Sequence, residues 1–148
     1  MSRSPIYISD TLAIASGGAD KSITVPQDRE YKIDVLKALF TTASGAGTHQ
    51  LYLTVDRGDS AAGDTDPYID VRAGLTQAQS LSYYYDFAPD VPLSTAVSDT
   101  DQVYVPIPDV WLPSGWVIRL FDQSAVATSD DVLEIKALVQ IRDGKSST

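Results

Sequence analysis

The side chains whose types and spacing could do chemistry are few: one imidazole, a spaced set of aspartates, an aspartate pair and a run of three tyrosines. His49 is the lone histidine, and it follows the small-residue loop "ASGAGT" at 43–48. Nucleophilic catalysis needs a base held beside its nucleophile. Many serines share this single imidazole, at the mouth of a predicted strand, so we read His49 as a surface or hydrogen-bonding residue. With no cysteine in the chain, there is no thiolate nucleophile, disulfide framework or cysteine zinc site to consider.

Asp56, Asp59, Asp64, Asp66 and Asp70 crowd one stretch, and calcium prefers several hard oxygen ligands. Their spacing does not match a calcium-binding EF-hand loop, which alternates its ligands, turns at a glycine and closes on a distal glutamate. A solvated acidic loop with no metal is the expectation. The tripeptide Arg57-Gly58-Asp59 matches an integrin-recognition pattern too short to carry weight, at a position where a loop wants glycine. Asp130 and Asp131 precede the last predicted strand and are expected to bond turn amides. The glycine-containing stretches "SGG" (16–18) and "SGAG" (44–47) lack the lysine and spacing of a phosphate-binding loop. Nothing selects a carboxylate pair for glycoside hydrolysis. The chain is therefore expected not to be an enzyme, with no catalytic residue and no cofactor.

The aromatic residues form a different kind of candidate. Tyr83, Tyr84 and Tyr85 are consecutive, so on a strand they cannot all face the core, and Tyr84 is expected to point away from it. Together with Trp111 and Trp116 they make the candidate interface, for a neighbouring subunit or a sugar.

The elements that must position these groups are strands. In "DVLEIKALVQIRD" (131–143) Leu133, Ile135, Ala137, Val139 and Ile141 share one face, while Glu134, Lys136, Gln140 and Arg142 take the other with Leu138 as the apolar exception. A helix would scatter those charges around its circumference. Shorter alternating runs mark strands at 22–26, 49–56, 67–72, 80–87, 102–108 and 116–122. The run at 31–42 alternates through Tyr31, Ile33 and Val35, then loses phase at "LKALF" (36–40), where a bulge is expected. Pro106 and Pro108 cannot donate to a ladder and so suggest an edge strand or a strand end. "LPSG" (112–115) reads as a type I turn, and a short helical turn fits at 123–131. About eight turn-separated strands predict an all-β fold, an antiparallel β-sandwich. We expect one domain over 1–148, with residues 6–14 as an edge strand or as part of an arm (1–20) on a neighbour, and a loose tail at 144–148.

Composition narrows the partners. Twenty acidic residues against 11 basic ones leave a net charge of −9, which opposes contact with a phosphate backbone, so nucleic acid is not expected. No run approaches the roughly 18 to 20 apolar residues that span a bilayer, so no membrane is expected either.

Beyond these readings, the segments at 31–56, 80–91 and 112–140 together resemble small structural proteins of tailed bacteriophages. The most telling parts are "LPSGW" leading into a strand that ends at Asp122, the small-residue segment after it, and the Asp130-Asp131 pair. The resemblance implies a jelly-roll-like sandwich incorporated in the virion. Within that setting it implies a capsid decoration or cement protein, trimeric, held on the capsid exterior by the major capsid protein or other virion proteins after synthesis in the bacterial cytoplasm. A tail, fibre or head-to-tail component, and a carbohydrate-binding jelly roll, are the alternative readings.

Overall fold

A computed structural model describes residues 6–12, 21–42, 49–58, 67–122 and 132–144. Among them are nine strands: β1 (Ile6–Leu12), β2 (Lys21–Thr24), β3 (Arg29–Thr41), β4 (Leu51–Asp56), β5 (Ile69–Arg72), β6 (Ser82–Ala88), β7 (Gln102–Pro106), β8 (Val117–Asp122) and β9 (Val132–Asp143). No helix among the described residues is long and apolar enough to cross a membrane.

The strands make a five-stranded sheet, ordered β1-β9-β3-β6-β7, and a four-stranded sheet, ordered β2-β8-β4-β5. Four antiparallel pairs, β1 with β9, β2 with β8, β3 with β6 and β4 with β5, are nested one inside the next along the chain. The chain thus doubles back as one long ribbon. Rolling that ribbon adds the antiparallel pairs β3 with β9 and β4 with β8, which is the jelly-roll arrangement. Between the sheets lie Leu36, Phe40, Leu53, Phe87, Ile118, Leu120 and Ile135, all buried. Each such side chain contributes about 1.5–3 kcal/mol relative to leaving it in water.

The alternation in the long strands is the cause of this packing. On β9 Leu133, Ile135, Ala137 and Val139 are buried, and Leu138 is exposed on the other face, as its phase requires. On β3 the phase slips earlier than the sequence predicts. The register with β9 shifts between Ile33 and Val35, so Asp34 is the extra residue of a bulge. Tyr31 and Ile33 face the core before it, Leu36, Ala38 and Phe40 after it, and Val35 is only half-buried.

Two further expectations need correction. The sandwich is not wholly antiparallel, because β7 joins β6 in parallel. A parallel neighbour needs a long crossover, and residues 89–101 supply it. That loop also caps the edge: Ser94 N donates to Tyr104 O and Tyr104 N donates to Ser94 Oγ, each at 2.9 Å. It lies close over Gly74, where a Cβ would stand 2.6 Å from Ser94 O. The turn after Leu112 is displaced by one residue. Trp116 N donates to Pro113 O at 3.2 Å and Gly115 is third in that turn with φ of 84°, the arrangement of a type II turn. Residues 6–12 are an edge strand on β9 of the same chain, whereas the helical turn expected at 123–131 and the tail beyond Gly144 lie outside the described residues.

Candidate functional site

The residues with catalytic potential are turned inward. His49 precedes β4 and exchanges backbone hydrogen bonds with Gln77, at 2.8 and 2.7 Å. Its Nδ1 meets Asp122 Oδ2 at the end of β8, and its ring stands edge-on to Phe40 at 5.8 Å. Asp122 Oδ1 accepts from Gln50 N at 3.2 Å. Gln77 Nε2 donates to the carbonyls of Phe40 (2.8 Å) and Leu81 (3.0 Å), and its Oε1 accepts from the Tyr85 hydroxyl at 2.8 Å. Burial, with smaller contributions from Tyr83 and Asp122, pushes the Tyr85 phenol above its ordinary value, so it stays a donor. At 2% exposure His49 cannot reach a substrate. Of the two roles expected for it, surface or hydrogen-bonding, it takes the second, because the Gln77 bridge draws the strand entrance into the core. This network ties four separate segments into one corner of the sandwich. Gln77 carries no sequence signal, as it sits in no alternating run.

The acidic stretch is divided. Asp56 is buried at the end of β4, where Oδ2 accepts from Arg119 Nε and Oδ1 from Gly58 N, both at 2.7 Å. Burial alone would raise its carboxyl, but the Arg119 hydrogen bond, the Gly58 amide and the Arg119 charge together hold it below the usual carboxylate range. Asp70 pairs with Arg72 at 3.3 Å. Asp59, Asp64, Asp66, Asp130 and Asp131 lie outside the described residues. Among the described residues no group of three histidines, aspartates or glutamates could hold a metal ion. Gly58 of the Arg-Gly-Asp tripeptide has φ of 81°, and a Cβ there would stand 2.5 Å from Gly115 O. Its glycine is thus required by close backbone approach.

The five aromatic candidates do not converge. Tyr85 is core and Tyr83 is half-buried beside it, ring centroids 6.5 Å apart. Tyr84 alone points out, 50% exposed on the outer face of the five-stranded sheet. Trp111 is half-buried with the Arg142 guanidinium 4.1 Å from its ring centroid and Lys32 Nζ at 5.8 Å. Tyr84 pairs with Leu39, seven residues along β3 from Lys32, so roughly 23 Å of strand separates the two rings' neighbourhoods. Trp116 precedes β8 of the other sheet, is partly buried against the core and stacks on Tyr68 with centroids 4.7 Å apart.

Tyr68 is the residue the sequence reading missed. It is 55% exposed, with Arg57 over its ring at 5.7 Å. Along the same outer face Tyr52 meets Phe121 at 5.7 Å, and Arg72 covers the Tyr52 ring at 4.5 Å. One exposed ring, three half-buried ones and two exposed arginines are of the residue types in which protein interfaces are enriched.

Fold and surface therefore define a jelly-roll sandwich with two dissimilar outer faces. No protein-family model matches the chain, and no curated protein matches it. Among solved structures it is similar to PfGH50B, at 12% identity over 97% of this chain and 23% of that chain, with a TM-score of 0.33. The chain spans about a quarter of that chain's length, and a likeness this slight carries no argument about its role.

Proposed function

We propose that this chain is a structural protein of a tailed-phage virion, a capsid decoration or cement protein that bridges capsomers from the outside and acts by docking rather than by turnover. The observation that carries this reading is the aromatic and arginine surface of the four-stranded sheet, with Tyr68 at 55% exposure stacked on Trp116 beside Arg57. Such rings desolvate well against a partner, and their guanidinium neighbours supply hydrogen bonds at the rim. The resemblance of the segments at 31–56, 80–91 and 112–140 to phage structural proteins supplies the virion setting. Burial of His49 and pairing of Asp56 support a docking role, since both polar groups are engaged within the fold. Binding to the assembled head then stabilises it by mass action.

The test is co-sedimentation of the purified chain with phage heads lacking it, followed by electron microscopy of the decorated particle. We expect saturable binding at capsomer junctions, loss of binding on Tyr68→Ala, and a trimer by analytical ultracentrifugation. Density on the tail instead of the head would make it a tail component. No association with any particle would refute the proposal.

A further inference from the structure

The other sheet presents a surface of different chemistry. On its outer face four adjacent strands, β9, β3, β6 and β7, bring eight side chains into two rows. Lys136 stands opposite Lys37, Lys37 opposite Asp86 and Asp86 beside Tyr104. In the second row Glu134 stands opposite Leu39, Leu39 opposite Tyr84 and Tyr84 beside Gln102. Three strand spacings make this platform about 14 Å wide. A shallow hollow of ≈ 220 Å³ lies within it.

The charges on this platform are incompletely matched. Like charges directly opposite each other on a sheet destabilise it, and Lys37 and Lys136 are such a pair. Asp86 engages Lys37 at 3.2 Å. Among the described residues neither Lys136 nor Glu134 has an ion-pair partner. A negative group placed between the two lysines would relieve their repulsion.

The geometry points to a carboxylate-bearing saccharide, of the uronic-acid type, as the ligand of this platform. Its carboxylate would sit against Lys136 and Lys37, and the C–H face of its ring against the half-exposed Tyr84. Its hydroxyls would donate to the carboxylates of Glu134 and Asp86 and to the Gln102 carboxamide oxygen. An apolar peptide would strip water from four charged groups without replacing their hydrogen bonds. A polyanionic phosphate chain would meet Asp86, Glu134 and the chain's net charge of −9. A ligand with one charge per ring and many hydroxyls can offset that repulsion by donating hydrogen bonds to Asp86 and Glu134, which the bare oxygens of a phosphate chain cannot do.

This inference uses the opposite sheet from the head-docking proposal, so the two fail separately: Tyr84→Ala is expected to leave head binding intact, and Tyr68→Ala to leave saccharide binding intact. The experiment titrates the full chain at low salt with α-1,4-linked trimers of galacturonic acid and of galactose, followed by calorimetry and by amide shifts in a nuclear magnetic resonance spectrum. The acidic trimer is expected to bind about tenfold or more tighter than the neutral one, a difference of about one decade in Kd. Shifts should centre on Lys37, Tyr84 and Lys136. Lys136→Gln should abolish the preference, and Tyr84→Ala should remove binding of both sugars while the melting temperature stays within a few degrees. Equal affinity for the two trimers, no shift with either, or binding undiminished by Tyr84→Ala would each overturn the assignment.

Discussion

On the four-stranded sheet Arg119 meets Asp56 at 2.7 Å with side chains 14% and 3% exposed; on the five-stranded sheet Lys37 meets Asp86 at 3.2 Å with side chains 56% and 19% exposed. Both are cross-strand ion pairs within one sheet, yet their surroundings make them physically different. The first has lost most of its water and has fixed hydrogen bonds in exchange, including that from Gly58 N to Asp56. The second remains hydrated and screened by salt. A desolvated pair makes each partner depend on the other, whereas a hydrated pair can exchange its partner for a ligand. That contrast underlies the two proposals, docking for the first face and reversible recognition of a charged, hydroxyl-rich molecule for the second.

The contrast breaks most visibly at Arg119. Replacing it with Met leaves the buried Asp56 carboxylate without its cation, and urea denaturation should show a loss of about 3 kcal/mol. A loss below about 1 kcal/mol would mean that Asp56 is better hydrated than its burial implies.

Acid should act on the same pair. Because the Asp56 carboxyl is held below the usual range in the folded chain, the unfolded chain takes up the proton first as pH falls. Its contribution is therefore fully present above about pH 5 and is lost as pH drops through about 4 and below. The difference in stability between the parent chain and Asp56→Asn should be flat above that range and shrink beneath it; a difference independent of pH from 6 to 3 would contradict the pairing.

A smaller effect belongs to the exposed stack. Tyr68→Ala removes one ring from Trp116 and should cost about 1 kcal/mol in thermal unfolding. If Tyr68→Ala abolishes head binding at that modest cost, the ring serves the partner more than the fold. The smallest effect is expected at Lys37→Gln, within about 0.5 kcal/mol and vanishing at high salt. A salt-insensitive loss there would erase the distinction between the two faces.

How much was legible in the sequence follows from which interactions are local. The alternation of Leu133, Ile135, Ala137 and Val139 located β9 and its buried face, and the three consecutive tyrosines required that Tyr84 diverge from Tyr83 and Tyr85. The prolines at 106 and 108 marked an edge or a strand end, and β7 is an edge strand that ends at Pro106. The phase slip in β3 was legible as an event but not at its residue, because a bulge is specified by the partner strand as much as by its own sequence. The parallel placement of β7 was hidden for a related reason: alternation reports which face is buried, not which way the neighbour runs.

The candidate surfaces divide along the same line. Side-chain type and period-2 spacing determined that this chain folds into sheets, which residues line its core, and that some rings must remain outside it. Only the rolled ribbon decided that His49, Gln77, Tyr85 and Asp122 close on one another, that Tyr68 finds Trp116, and that Lys37 faces Lys136. Those partners lie on strands far apart in the chain, and the pairing of strands is set by the burial of the whole core rather than by any short stretch of sequence.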